Sequence, residues 1–209
     1  MTALTYDVPL FDLPGGVGLA VAEGPVEPPA PRLVTLPQLV LPEPALVVVV
    51  RGLPGPQGSK SHKGNGVLVE SSALVKPWRD SVAWQAVAAK NRRRGYQLLT
   101  GPVYAEMVFS LPRPKGHFGT GRNAGQLRPA APRFPDVKPD LSKLIRSTED
   151  ALSGVAYRDD ALIVQYVRLG KWYVTDAGVV PGVLDTPGCT IRLWAAPIED
   201  GGEVAGHGA

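Results

Sequence analysis

Residues 138–164, KPDLSKLIRSTEDALSGVAYRDDALIV, constrain the fold more than any other stretch of this chain. Lys138 precedes a proline and is pushed towards extended backbone, and Asp140 is a strong N-cap residue, so a helix is predicted to start here. Leu141, Leu144, Ile145, Thr148, Ala151 and Leu152 recur at helical spacing on one face, while Ser142, Arg146, Glu149 and Asp150 share the opposite one. Gly154 is the residue type that ends such a helix. After Asp159-Asp160 comes an apolar run, Ala161 to Val167, read as a buried strand. A helix start and a strand start that pack together would bring Asp140 and Asp160 close. Convergent carboxylates beside an exposed cation are what a magnesium-dependent phosphodiesterase uses. Taken one at a time, Asp140 is a helix cap and Asp159-Asp160 an ordinary acidic turn; only their conjunction points to chemistry.

The rest of the chain supplies a scaffold for that stretch. Residues 1–44 hold nine of the 22 prolines and no usable periodicity, so an extended or disordered arm is expected there. Ala45 to Val50 is a β-branched run that opens the domain. Gly55 to Gly66 is a Gly-rich loop with Lys60, His62 and Lys63, leading through a hairpin into Val67 to Glu70. Gly64-Asn65-Gly66 is not a dinucleotide fingerprint, because no helix opens behind it in a βαβ setting. Lys76 to Arg94 reads as a second helix, opened by Pro77, with Trp78, Val82, Gln85, Ala86 and Ala89 as its buried stripe. The tryptophans are assigned to the core, and Lys90, Arg92, Arg93 and Arg94 suit the negative end of the helix dipole. Val103 to Leu111 alternates cleanly, with Val103, Ala105, Met107, Phe109 and Leu111 on one side and Tyr104, Glu106 and Ser110 on the other. Lys171 to Val174 is expected to extend a hairpin and Thr190 to Trp194 to form the last strand. Residues 197–209 are Gly-rich and expected to fray, which leaves residues 45–196 as the folded domain.

Charge is distributed unevenly. The formal net charge is −4 over residues 1–50, +10 over 51–128 and −3 over 129–209. A basic block beside an acidic cluster is the pattern of a protein that grips phosphates while carboxylates hold a metal. Pro112 to Lys138, rich in proline and glycine, carries Arg113, Lys115, Arg122, Arg128 and Arg133. A connection of this length inside a domain is functional or mobile, and its charge favours a flap that contacts DNA. Lys60 and Lys63 in the earlier loop and Lys143 on the helix are further candidate phosphate contacts. His117 is read as a surface residue, not a metal ligand. The single cysteine, Cys189, rules out an intrachain disulfide and fits a reducing cytoplasm. No apolar run approaches the ~20 residues of a membrane helix, and no basic segment followed by an apolar one marks a leader peptide.

The stretch from Pro139 to Ala161 resembles the RusA family of Holliday junction resolvases. The family signature, Pro-Asp-Leu-Asp-Asn-Leu-x-Lys, an Asp-Ala-Leu helix end and an Asp-Asp pair, is matched by Pro139 to Arg146, by Asp150-Ala151-Leu152 and by Asp159-Asp160. Upstream, Gly52-Leu53-Pro54-Gly55-Pro56-Gln57-Gly58-Ser59-Lys60 is similar to a motif of phage-borne members, so the likeness spans residues 45 to 194. The resemblance implies an α+β domain, a mixed sheet of four or five strands against two main helices, assembled as a homodimer so that two sites face a four-way junction. It also implies an endonuclease dependent on Mg²⁺, or Mn²⁺, that leaves 5′-phosphate ends in recombination, repair or phage DNA processing. Asp140 and Asp160 would hold the metal, with Asp159 as an accessory carboxylate.

This chain departs from the pattern at three places: Ser142 replaces the second aspartate, Lys143 the asparagine and Arg146 the lysine. Arg146 keeps a cation for the phosphate but cannot donate a proton near neutral pH. Ser142 is a neutral and weaker metal ligand. Either Asp159 or Glu149 replaces the lost carboxylate, or Ser142 orients a water on the metal, or the protein binds branched DNA with weakened or lost catalysis. A basic DNA-packaging accessory without a site is the remaining alternative.

Overall fold

The computed structural model describes residues 41–58, 60–62, 68–70 and 73–196. Residues 1–40 of the expected arm, the expected tail 197–209, and Lys63 lie outside the described residues. The eight main elements are β1 (Leu46–Arg51), β2 (Lys60–His62), β3 (Leu68–Glu70), α1 (Val75–Arg92), β4 (Val103–Leu111), α2 (Leu141–Leu152), β5 (Ile163–Tyr173) and β6 (Gly188–Ala195). Four strands form one mixed sheet in the order β1-β6-β4-β5, and β2 pairs antiparallel with β3 in a separate hairpin. Only β4 and β5 run parallel; β6 is antiparallel to both of its neighbours. A parallel pair needs a crossover, and residues 112–162 with α2 supply it. The chain is thus α+β, with both helices on one face of the sheet.

Alternation builds that face. Leu46, Val48 and Val50 of β1, Val103, Ala105, Met107 and Phe109 of β4, and Cys189, Ile191 and Leu193 of β6 form one core with Trp78, Val82 and Ala86 of α1 and Leu144 and Leu152 of α2. Each fully buried leucine stabilises the domain by about 1.5–3 kcal/mol relative to an exposed one. The helices also meet each other: the Trp78 indole N–H donates to the Thr148 hydroxyl at 3.0 Å.

One strand is buried more deeply than its alternation announces, and three expectations are corrected. Strand β4 is buried on both faces, because residues 174–187 cover the second one: Leu184 N–H donates to Ser110 Oγ at 2.8 Å, and Val108 lies against Gly182. Glu106 accordingly turns inward and pairs with Arg192. The apolar run Ala161 to Val167 is not a buried strand; β5 begins at Ile163 on the sheet's edge, and Val164 is 59% exposed. The same strand continues to Tyr173, so Lys171 to Tyr173 are its end and no new hairpin starts there. Among the tryptophans, Trp78 and Trp194 are core, whereas Trp84 on the outer face of α1 is 73% exposed.

Candidate active site

Helix α2 buries Leu144, Ser147, Thr148, Ala151 and Leu152, which leaves its other face open. Ser142, Lys143, Arg146 and Glu149 on that face meet Asp160 and the loop residues Gln57 and Gly58 around an open cavity of about 620 Å³. Asp160 arrives because the chain doubles back after the helix. Gly154, at φ +74°, turns it; Gly154 N–H donates to Tyr157 O at 2.7 Å, and the buried Tyr157 hydroxyl donates to Glu149 O at 3.1 Å. Asp150, expected on the open face, points instead at α1 and pairs with Arg79.

Glu149 and Asp160 are the two carboxylates of this cavity. The Tyr166 hydroxyl donates to Glu149 Oε1 from the edge strand. Burial pushes the Glu149 carboxyl above its ordinary value; the Tyr166 hydrogen bond opposes this and the nearby Asp160 charge adds to it. Tyr166 is itself pushed far up, by burial first and by Glu149 second, so it stays a hydrogen-bond donor across the working pH range. Because folding raises the Glu149 value, this group's contribution to stability is full below the unfolded glutamate pKa of about 4.3 and is lost as pH rises through the folded value. Glu149→Gln, which keeps an acceptor for Tyr166, is therefore expected to raise the melting temperature at neutral pH in EDTA. The gain should be small, roughly 1–2 °C, since the group is only partly buried. It should vanish near pH ~3.5, where the carboxyl is protonated folded or unfolded. Equal gains by calorimetry at both pH values would contradict the burial argument.

Asp140 holds the N-cap position of α2, where its carbonyl accepts from Leu144 N–H at 3.2 Å. Its side chain makes no capping hydrogen bond and lies 3.2 Å from Lys143 Nζ. It lines an adjoining, more apolar cavity of about 640 Å³ with Lys138, Pro139 and Tyr173, and the two cavities share Gln57, Gly58 and Lys143 as a common wall. Lys171 Nζ steadies this helix start by donating to Pro139 O at 2.9 Å and Val137 O at 2.7 Å. Asp159 is exposed and caps the turn that follows it, accepting from Ala161 N–H at 2.9 Å. Asp160 thus lines one cavity with Glu149, and Asp140 lines the cavity that adjoins it.

The cations divide as well. Lys115 and Arg122 are exposed on two short 3-10 turns, and Arg128 is exposed with Nε donating to Phe118 O at 2.8 Å. These turns are laced together, with Arg128 N–H on His117 O at 2.9 Å and Gly119 N–H on Gln126 O at 2.8 Å, so the connection has internal structure of its own. Arg113 is corrected from a DNA contact to an internal group. It is buried over the Tyr173 ring at 4.0 Å, and it donates to Thr175 Oγ1 and Pro132 O at 3.0 and 2.9 Å. Lys60 opens β2, and its side chain is outside the described residues. Sequence reasoning gave Tyr166 and Gln57 no role; the tyrosine's placement depends on strand β5 lying at the sheet edge, which periodicity alone does not convey.

Among the described residues no three His, Cys, Asp or Glu side chains gather as a metal-binding group. Magnesium, however, is commonly held by one or two carboxylates and keeps several waters. Glu149, Asp160 and the Ser142 hydroxyl are oxygen donors facing open space, a set that fits this hydrated mode of binding.

Comparison with known proteins gives two findings. The family model described as endodeoxyribonuclease RusA matches residues 52–180. The uncharacterized protein YqaN of Bacillus subtilis (strain 168) is 27% identical over 126 residues, which cover 59% of this chain and 84% of that protein.

Proposed function

Because the chain belongs to the RusA endodeoxyribonuclease family, we propose that it cuts branched DNA, four-way junctions above all, as a Mg²⁺-dependent homodimer leaving 5′-phosphate ends. The observation that carries the reading is the cavity on α2, where Ser142, Arg146 and Glu149 meet Asp160 in a member of a nuclease family. Asp160 and Glu149 would hold the metal with Ser142 beside them, and Asp140 keeps the part that its family position implies. Mn²⁺ is an alternative ion for the same oxygen donors. The bound ion would supply water activation and neutralise charge on the phosphoryl oxygens.

The chain's own residues do the rest. Arg146 holds a phosphate oxygen as a permanent cation, and Lys143 adds a second positive charge on the same helix face. Tyr166 fixes the Glu149 carboxylate by its hydrogen bond, so that oxygen need not be ordered when substrate arrives. The exposed Lys115, Arg122 and Arg128 give the connection between β4 and α2 the charge to track the sugar–phosphate backbone, a term that weakens with salt. Two copies are required for paired incisions. No helix among the described residues is long and apolar enough to cross a membrane, and a place in the cytoplasm is proposed with the DNA substrate.

A second reading, a junction-binding protein with weakened cutting, draws on Ser142 and on the engagement of Asp140 with Lys143. One assay decides between them. A synthetic four-way junction incubated with Mg²⁺ is expected to receive paired, ligatable nicks, with none in linear duplex or in EDTA. Tight binding without nicks in either Mg²⁺ or Mn²⁺ would establish the second reading instead.

A further inference from the structure

The Gly52 to Gly58 stretch is tied to the site more closely than a surface loop requires. Gly55 lies against the start of α1 with no room for a side chain, and its carbonyl accepts from the buried Ser147 hydroxyl of α2 at 2.5 Å. Two residues on, Gln57 N–H donates to Lys143 O at 2.8 Å. The Gln57 side chain is held as well: Oε1 accepts from Arg79 Nη2 at 2.7 Å, and the same nitrogen of Arg79 pairs with Asp150 of α2. Helix α1, the loop and helix α2 are therefore joined at one glutamine.

Arginine carries donors only, so the amide oxygen of Gln57 must be the atom that faces it. That settles which way the amide points and leaves the two hydrogens of Nε2 over. No hydrogen bond to a described residue takes them, and Gln57 forms part of the wall of both cavities. A glutamine that only fastened the loop would need its oxygen alone. We propose that Gln57 is a phosphate-binding residue, whose Nε2 hydrogens donate to a non-bridging oxygen of a DNA phosphodiester in the cavity of Arg146, Glu149 and Asp160. In this assignment Arg79, itself held by Asp150, is the positioning residue that fixes the amide. A neutral donor suits this wall. An amide binds the anion without adding a further charge beside Glu149 and Asp160.

The inference rests on the nuclease reading, and the experiment separates the two. Gln57→Glu keeps the length and gives Arg79 a charged partner, so a purely structural role predicts an unchanged or higher melting temperature and unchanged activity. A phosphate contact predicts loss of the donor and a negative charge in its place. Junction affinity, read by fluorescence anisotropy with Ca²⁺ replacing Mg²⁺, and kcat/KM in Mg²⁺ should then each fall about 10–100-fold, the range for a hydrogen bond to a charged group. The melting temperature should not fall. Gln57→Met, which removes the donor without adding charge, should lose binding to a smaller extent. Wild-type binding and cutting by Gln57→Glu overturns the assignment and leaves the nuclease reading standing. Losses that track a lowered melting temperature in both variants assign Gln57 to folding and overturn it too. A wild-type protein that neither binds nor cuts the junction overturns both.

Discussion

Asp160→Asn is expected to lower junction cleavage about a thousandfold while junction binding stays as tight as in the wild type or becomes tighter. Among the described residues Asp160 and Glu149 are the carboxylates on the cavity wall, so the loss of Asp160 removes much of the anionic charge available to a divalent ion. Several kcal/mol of transition-state stabilisation then disappear, at 1.36 kcal/mol for each factor of ten. Binding moves the other way, because a negative charge beside phosphate is removed. Asp159→Asn is the matched control: it lies next in sequence, but its carboxylate caps a turn at Ala161 N–H, a task asparagine performs equally well. Its activity should stay near wild type. Asp140→Asn is expected to lose cleavage as its family position implies. Were it to cut normally while Asp160→Asn did not, metal holding would fall to Asp160 and Glu149 alone. Near-normal cutting by Asp160→Asn, measured on a labelled junction at saturating Mg²⁺, would remove the cavity from the reaction.

Much of the scaffold was legible because local chemistry decides it. Asp140 before a helical apolar stripe and Gly154 after it bound α2 closely, and alternation from Val103 to Leu111 defines β4. The open face of the helix was legible too, since Ser142, Arg146 and Glu149 follow from spacing alone. What stayed hidden depends on partners distant in sequence. Arg113 reads as a solvent cation until Tyr173, some sixty residues on, supplies a ring beneath it. Asp150 reads as part of the open face until Arg79 of α1 claims it. The cover over the second face of β4 stays hidden because residues 174–187, which supply it, have no periodicity to announce them. Likewise, the apolar character of Ala161 to Val167 says nothing of edge or centre, which the crossover to a parallel partner decides. A strand that starts under the helix start would bring Asp160 beside Asp140. The turn at Gly154 and the Tyr157 hydroxyl also return the chain to Glu149, a carboxylate that the spacing does not single out as a partner of Asp160.

The other large effect is expected where the loop meets the helices. A Cβ on Gly55 would lie 2.2 Å from Leu74 O, 2.6 Å from Leu74 C and 2.8 Å from Trp78 Cβ. None of these atoms can swing aside: two are backbone at the start of α1, and the third belongs to a buried tryptophan bonded to Thr148. Gly55→Ala must therefore push the loop outward, an overpacking cost of about 1–3 kcal/mol before any hydrogen bond is lost. Displacement also loosens the bond from Ser147 Oγ to Gly55 O and the one from Gln57 N–H to Lys143 O. Together these should lower the melting temperature by roughly 6–12 °C for a chain of this size. Cleavage should fall further than stability explains, because the displaced segment is the wall common to both cavities. About a hundredfold loss at 25 °C, well below the melting transition, is expected, equivalent to two lost hydrogen bonds near charge. Gly116→Ala gives the internal comparison, since nothing lies within 4 Å of its Cβ and its backbone is ordinary. That variant should melt and cut as the wild type does. A Gly55→Ala protein that folds and cuts normally would show that the loop yields without consequence, and the wall would then have no part in holding the substrate.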